Sequence, residues 1–198
     1  MGTRGAFGVR INGIDKIAYN HFDSYPDGLG RAVIMDIRKM SKDGFNVSKA
    51  AIELQFADEN NPPTPEQIKR LKHWTDIGVS NQSTADWYCL TRKLQGELYE
   101  TLKAGLITDA ASFLHDSLFC EYAYIVNLDT GMLEFYKGFQ ETAHSNGRYS
   151  AKPDNSRPDN KYFGVALEKE IPLSEIIAMK RESQINKLIE SLEPEEKE

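Results

Sequence analysis

The segment Tyr19-Asn20-His21-Phe22-Asp23-Ser24-Tyr25 packs an imidazole, a carboxylate and two phenols into seven residues. In an extended chain, side chains at alternate positions share a face. Tyr19, His21, Asp23 and Tyr25 are therefore expected to project together, with Phe22 on the opposite side. Such a surface can orient a substrate, shuttle a proton or hold a metal. The competing reading is the solvated face of an edge strand, with Asp23 capping the turn that follows.

A second candidate is the start of the chain. Removal of Met1 leaves Gly2-Thr3-Arg4-Gly5, and a free α-amine with a pKa of ~7.7–8.0 is a usable base near neutrality. Threonine activated by an N-terminal amine is a known nucleophile, although here Gly2 would be terminal. Thr3 is thus exposed by one further trimming step, acts from the second position, or is structural. Arg4, Arg10, Lys16 and Arg31 lie nearby in sequence. The planar fork of arginine suits phosphate or carboxylate, so Arg4 with Tyr19, His21 and Tyr25 would suit an anion carrying an aromatic base. Arg10 and Lys16 read as routine surface charge.

Weaker signals remain. Gly28-Leu29-Gly30 before a helix could aim backbone amides at an anion, but it matches neither a Walker loop nor a Rossmann fingerprint. His21, His73, His115 and His144 show no metal-ligand spacing, so no metal and no cofactor is expected. Trp74, Trp87 and Tyr88 could stack on a base, with core packing the competing fate of Trp87. Asn146, Arg148, Tyr149, Lys152 and Arg157 place cations and an aromatic in a polar stretch over 144–161, which reads as a lid or as an exposed insertion.

The elements that must position these residues follow from pattern. Two apolar runs, 3–11 and 14–22, flank Asn12-Gly13, the pair a type I′ hairpin turn prefers. Leu29, Val33, Ile37 and Met40 predict a helix from near Gly30. Ser48 is expected to cap a second helix, and Thr64-Pro65-Glu66-Gln67 reads as the start of a third. Trp87, Leu90, Leu94, Leu98 and Leu102 predict one continuous helix capped by Ser83 or Thr84 and stopped by Gly105. Strands are expected over 121–128, 132–136 and 162–171, followed by a last helix carrying Ile176, Ile177, Ile185 and Leu188. Segregated strands and helices of this kind point to an α+β fold with an antiparallel sheet of about five strands. The expected layout is a single domain over 1–192 and an acidic, disordered tail over 193–198.

Composition sets limits. The 198 residues carry 24 Lys plus Arg against 30 Asp plus Glu, a net charge of −6, which argues against a broadly basic coat for a nucleic-acid polymer. Only Cys89 and Cys120 are present, so a disulfide framework or Cys-rich zinc module is ruled out, and a reducing cytosol suits them. No apolar run spans a bilayer, no signal-peptide core opens the chain, and Ala6 stands where myristoylation wants Ser or Thr. A soluble cytoplasmic protein with no membrane partner is expected, and a homo-oligomer is left open.

Thr3-Arg4-Gly5, the hairpin, and Tyr19-Asn20-His21-Phe22-Asp23-Ser24-Tyr25-Pro26-Asp27-Gly28-Leu29-Gly30 together resemble a family of small proteins found in phages and in bacteria that carry them. Gly78-Val79-Ser80-Asn81-Gln82-Ser83 and Asp86-Trp87-Tyr88-Cys89-Leu90 belong to the same pattern, which covers most of the first 140 residues. A nucleophile-like residue leading straight into an antiparallel hairpin also resembles N-terminal-nucleophile hydrolases, with Gly2 departing from the Cys, Ser or Thr expected there. These resemblances imply hydrolysis of a small anionic substrate, such as the phosphodiester of a cyclic nucleotide signal in host defence. Thr3 would be nucleophile or support, Arg4 would stabilise developing charge, and His21 and Asp23 would do acid–base or orienting work. Tyr19, Tyr25, Gly28, Gly30 and Arg31 would bind the substrate. The rival is a non-catalytic sponge for the same ligand, and a protein-interaction module comes third.

Overall fold

The computed structural model describes residues 2–151 and 161–193. Lys152, Arg157 and the tail beyond Glu193 lie outside the described residues. The chain opens on the expected hairpin, β1 (Gly5–Ile11) and β2 (Ile14–Asn20), paired from Ile11↔Ile14 to Gly5↔Asn20. Asn12 and Gly13 both take positive φ, +52° and +74°, as a two-residue hairpin turn of this hand requires. The Asp129 carboxylate fastens that turn, accepting from the Asn12 and Gly13 amides at 2.7 and 2.9 Å.

A π-type turn at Pro26–Gly30 leads into α1 (Arg31–Lys42), followed by α2 (Val47–Glu53), the short β3 (Gln55–Phe56) and α3 (Pro65–Leu71). Next come α4 (Trp87–Thr91), α5 (Leu98–Ala104) and β4 (Leu106–Ile107), then β5 (Tyr122–Asn127), β6 (Met132–Lys137) and β7 (Ala166–Pro172), and finally α6 (Leu173–Ala178) and α7 (Glu182–Glu190). The main sheet runs β2-β1-β5-β6-β7, and β3 pairs with β4 separately. The fold is α+β with five strands in the main sheet, but that sheet is mixed rather than antiparallel throughout. β1 and β5 pair in parallel from Gly5↔Tyr122 to Arg10↔Asn127, and the other three pairings are antiparallel. The whole helical block between β2 and β5 is the crossover that a parallel pair needs.

Alternation along the strands sorts the core. Phe7, Val9, Tyr124, Val126, Leu133 and Phe135 face α1, α6 and α7, meeting Val33, Ile34, Ile37, Ile185 and Ile189. Ala6, Ile17, Ala123, Ile125 and Tyr136 line the other face, covered by Leu114, Cys120, Tyr149 and Val165 from irregular segments. A third cluster, Leu71, Trp87, Leu90, Leu94, Ala104 and Leu106, seats α3, α4 and β4 beside the edge strand β2.

Several expected boundaries move. The continuous helix from Trp87 to Leu102 is broken: α4 tightens into a 3-10 turn at Arg92–Leu94, and Gly96 at φ +80° redirects the chain before α5. Gly105 ends α5 as expected. Asp86, not Ser83 or Thr84, caps α4 by accepting from the Tyr88 amide at 2.8 Å, and Asn46 rather than Ser48 caps α2. Thr64 and Gln67 form the full capping box of α3. The last helix is two helices, and β7 begins at Ala166 rather than at residue 162. Lys16 is not surface charge: it is buried, and its ammonium donates to the carbonyls of Ala51, Ile52 and Leu54 at 2.7, 3.1 and 2.6 Å, closing the C-terminal end of α2.

Candidate functional site

β2 delivers Tyr19 and then ends at Asn20, whose amide donates to the Phe22 carbonyl and, at 2.8 Å, to the Ser24 hydroxyl. Ser24 is fully buried; its amide donates to the Thr3 carbonyl at 3.2 Å, and its carbonyl accepts from the Tyr124 hydroxyl at 3.1 Å. Residues 21–24 are thereby folded back over the start of β1, beside Arg4. The Tyr19 hydroxyl and His21 Nδ1 lie 2.7 Å apart, with Phe113 edge-on to Tyr19 and Phe22 edge-on to His21.

Two guanidinium groups act on this pair. Arg4 lies over the Phe119 ring at 4.7 Å, while its own backbone exchanges hydrogen bonds with Glu121. Arg92, in the 3-10 turn after α4, donates to Gln95 Oε1 at 3.1 Å and sits 5.7 Å from the centre of the Phe22 ring. Neither Arg4 nor Arg92 makes an ion pair among the described residues. Burial, then Arg92 and Arg4, hold the His21 pKa below its ordinary 6.5, so the imidazole is neutral at pH 7. Burial raises the Tyr19 phenol above 10.0 against the pull of Arg4 and Arg92, so it stays protonated. With the ring proton on Nε2, Nδ1 accepts from the phenol. In the other tautomer, Nδ1–H donates and Nε2 is a bare base.

Tyr19 also forms one wall of a cavity of about 80 Å³ between β2, α4 and β4, lined by Tyr88, Thr91, Leu94, Gln95 and Ile107 among others. The Thr91 hydroxyl is committed to the Trp87 carbonyl at 2.8 Å, and the lining is largely apolar apart from the side chains of Glu59, Gln95, Thr101 and Thr108.

The structure gathers Tyr19, His21 and Arg4 and leaves the other sequence candidates outside. Thr3 sits two residues before β1, and its side chain makes no hydrogen bond among the described residues. Asp23 takes φ +52° after the strand has ended, so the alternation meant to align it with Tyr19 and His21 no longer operates. Its carbonyl accepts from the Leu29 amide at 2.8 Å. Tyr25 is exposed, and its carbonyl takes the Gly28 and Gly30 amides at 3.0 and 3.4 Å, the donors an anion would need. Gly28 and Gly30 are close-approach positions: a Cβ would meet the Asp23 carbonyl at 2.0 Å and the Tyr124 ring at 2.8 Å. Arg31 is spent on Asp27, Glu182 and Asn186 at 2.7, 2.8 and 3.0 Å, tying the π-type turn to α7.

The 144–151 stretch is no open lid either. Arg148 donates to both oxygens of Glu134 at 2.9 and 2.6 Å and to both of Asp15 at 2.9 and 3.1 Å, strapping the segment across the sheet face. Arg10 completes the strap through Asp15 at 2.9 Å. Sequence reasoning missed Arg92 and Gln95 because both fell inside the expected continuous helix. Tyr88 carried a signal, as a candidate stacking ring.

Among the described residues no three His, Cys, Asp or Glu side chains are arranged to hold a metal, and no helix is long and apolar enough to cross a membrane. Comparison with known proteins finds no matching family model, no matching curated protein and no matching solved structure.

Proposed function

We propose that the cleft at Tyr19, His21, Arg4 and Arg92 binds a small anionic ligand with a planar ring, a cyclic nucleotide being the class that fits. The observation that carries this reading is two guanidiniums without ion-pair partners among the described residues, acting on one neutral, hydrogen-bonded Tyr19–His21 pair at the edge of an apolar cavity. Partly buried cations are stabilised by a counter-anion, and arginine's fork matches a phosphodiester. About 80 Å³ equals the liquid volume of only two or three waters. The enclosed part therefore takes one edge of a ring, and the phosphate lies across the mouth.

Sequestration is the form of this function that the geometry supports best. The imidazole is bonded to a Tyr19 phenol that burial keeps protonated, and among the described residues no base is bonded to the Thr3 hydroxyl. A hydrolytic reading draws on the neutral imidazole: His21 would take a proton from water attacking phosphorus, the P–O ester bond would break, and the leaving oxygen would take the proton back. A cytosolic role in countering a host's nucleotide signal is what the phage-family resemblance adds. Incubation with a panel of cyclic mono- and dinucleotides, followed by chromatography, tests both forms. Ligand recovered intact after heat release supports sequestration, accumulating product supports hydrolysis, and no retention of any nucleotide refutes the proposal.

A further inference from the structure

Glu59 and Tyr88 belong to two cavities at once. They line the small cavity beside Tyr19, and they also line an open shelf of about 450 Å³ walled by Asn60, Asn61 and Asn81. Because Glu59 and Tyr88 line the same small cavity as Tyr19, a ring edge seated there lies beside both side chains.

The position of Glu59 is fixed by its neighbours. The Trp87 indole donates to the Asp58 and Asn61 carbonyls at 3.2 and 2.9 Å, clamping the 58–61 turn to the start of α4. Inside the turn the Asp58 carboxylate accepts from the Asn60 amide at 3.1 Å and the Asn61 side chain at 2.8 Å. Glu59 itself makes no hydrogen bond or ion pair among the described residues, so its carboxylate is free to accept from a ligand in the cavity it lines. Asp86, the other acid on the shelf, is already used by Ser80 and by the Asn81 and Tyr88 amides.

A carboxylate only accepts hydrogen bonds. Guanine offers adjacent N1–H and N2–H donors on one edge, spaced for two carboxylate oxygens. Adenine offers one donor beside a bare N1 lone pair, which a carboxylate repels. The shelf carries no unpaired cation among the described residues, so it is not a second phosphate site.

We infer that Glu59 selects a guanine-bearing ligand over an adenine-bearing one, with Tyr88 supporting the base in the cavity that both side chains line. This rests on the proposed anion-binding reading of the cleft and adds base identity to it. The Glu59→Gln variant keeps the fold, since Glu59 is exposed and has no partner among the described residues, and it reverses the pattern: glutamine both accepts from adenine N6–H and donates to N1.

Titration calorimetry of 3′,5′-cyclic GMP and 3′,5′-cyclic AMP against the native chain, Glu59→Gln and Tyr88→Ala decides the matter. The native chain is expected to prefer cyclic GMP by about tenfold or more, as one to two charge-assisted hydrogen bonds imply. Glu59→Gln should erase or invert that preference, and Tyr88→Ala should weaken both ligands alike. Equal binding of the two nucleotides by the native chain, or a preference that survives Glu59→Gln, overturns the base assignment and leaves anion binding standing. Binding of neither nucleotide overturns the base assignment, and the anion-binding reading falls with it when the cyclic dinucleotides of the panel are not retained either.

Discussion

Replacing Arg148 with leucine removes a side chain that bridges β2 and β6 across the two strands between them. Its guanidinium meets Glu134 and Asp15, and one nitrogen also contacts the Tyr136 hydroxyl at 2.9 Å. The two acids are not equally harmed by its loss. Asp15 keeps Arg10 at 2.9 Å. Among the described residues Glu134, 3% exposed, keeps only the neutral donors Asn127 and Tyr136 at 2.7 and 3.0 Å. Breaking a buried pair from one side costs about 3–5 kcal/mol. Because the Arg148 side chain is a quarter exposed and Glu134 retains two donors, the cost is shifted down by about 1 kcal/mol, to about 2–4 kcal/mol. With a urea m-value near 2 kcal/mol/M, the unfolding midpoint should fall by about 1–2 M at constant m. The double variant Arg148→Leu/Glu134→Gln removes the stranded charge, keeps an acceptor for Asn127 and turns an amide N–H toward the Tyr136 hydroxyl, which can accept it, and should recover most of the loss. A midpoint shift below about 0.3 M, or a double variant no better than the single one, would refute this account of the strap.

Lys16→Met should cost about 2–4 kcal/mol in urea unfolding, because it orphans three backbone carbonyls at the end of α2; a variant of native stability would show that the cap contributes nothing. Gly96→Ala forces a Cβ into φ +80° and to 3.3 Å from Asn20 Oδ1, so the melting temperature should drop by about 2–8 °C, read by calorimetry. The pKa of His21 is depressed, so the stability it contributes is present above the unfolded value near 6.5 and is lost as pH falls through that value toward the folded one. His21→Asn should flatten that part of the stability-against-pH curve. Over the same fall in pH, the newly charged imidazole should tighten anion binding in the native chain but not in His21→Asn, as measured by titration at fixed salt.

Much of the fold was legible because local chemistry dictates it. Asn12-Gly13 supplies the two positive φ values its turn needs, Thr64 with Gln67 is a complete capping box, and Gly105 ends a helix in the left-handed conformation. The parallel pairing of β1 with β5 was not legible: a period of two looks the same whichever way the neighbour runs. Nor was the break at Gly96, since Leu90, Leu94 and Leu98 keep helical spacing while packing onto two differently directed segments. The site shows the same division. Tyr19 and His21 share a face because the strand carries Tyr19 to its very end, whereas Asp23 and Tyr25 were extrapolated past the point where the strand stops. Arg92 and Glu59 reach the cleft only through tertiary packing of α4 and the 58–61 turn.

The claim on which the functional reading rests is that Arg4 and Arg92 together supply the charge that holds an anion beside Tyr19 and His21. Cyclic GMP titrated at fixed salt into the native chain and into Arg4→Gln/Arg92→Gln tests it directly. Losing two charge-assisted contacts of about 1.5–3 kcal/mol each should weaken binding by at least about 100-fold. Because Arg4 lies over a ring and Arg92 meets Gln95 and the Phe22 face, unfolding midpoints should stay close to native. Affinities within about twofold of each other, in a double variant that is still folded, would contradict the assignment.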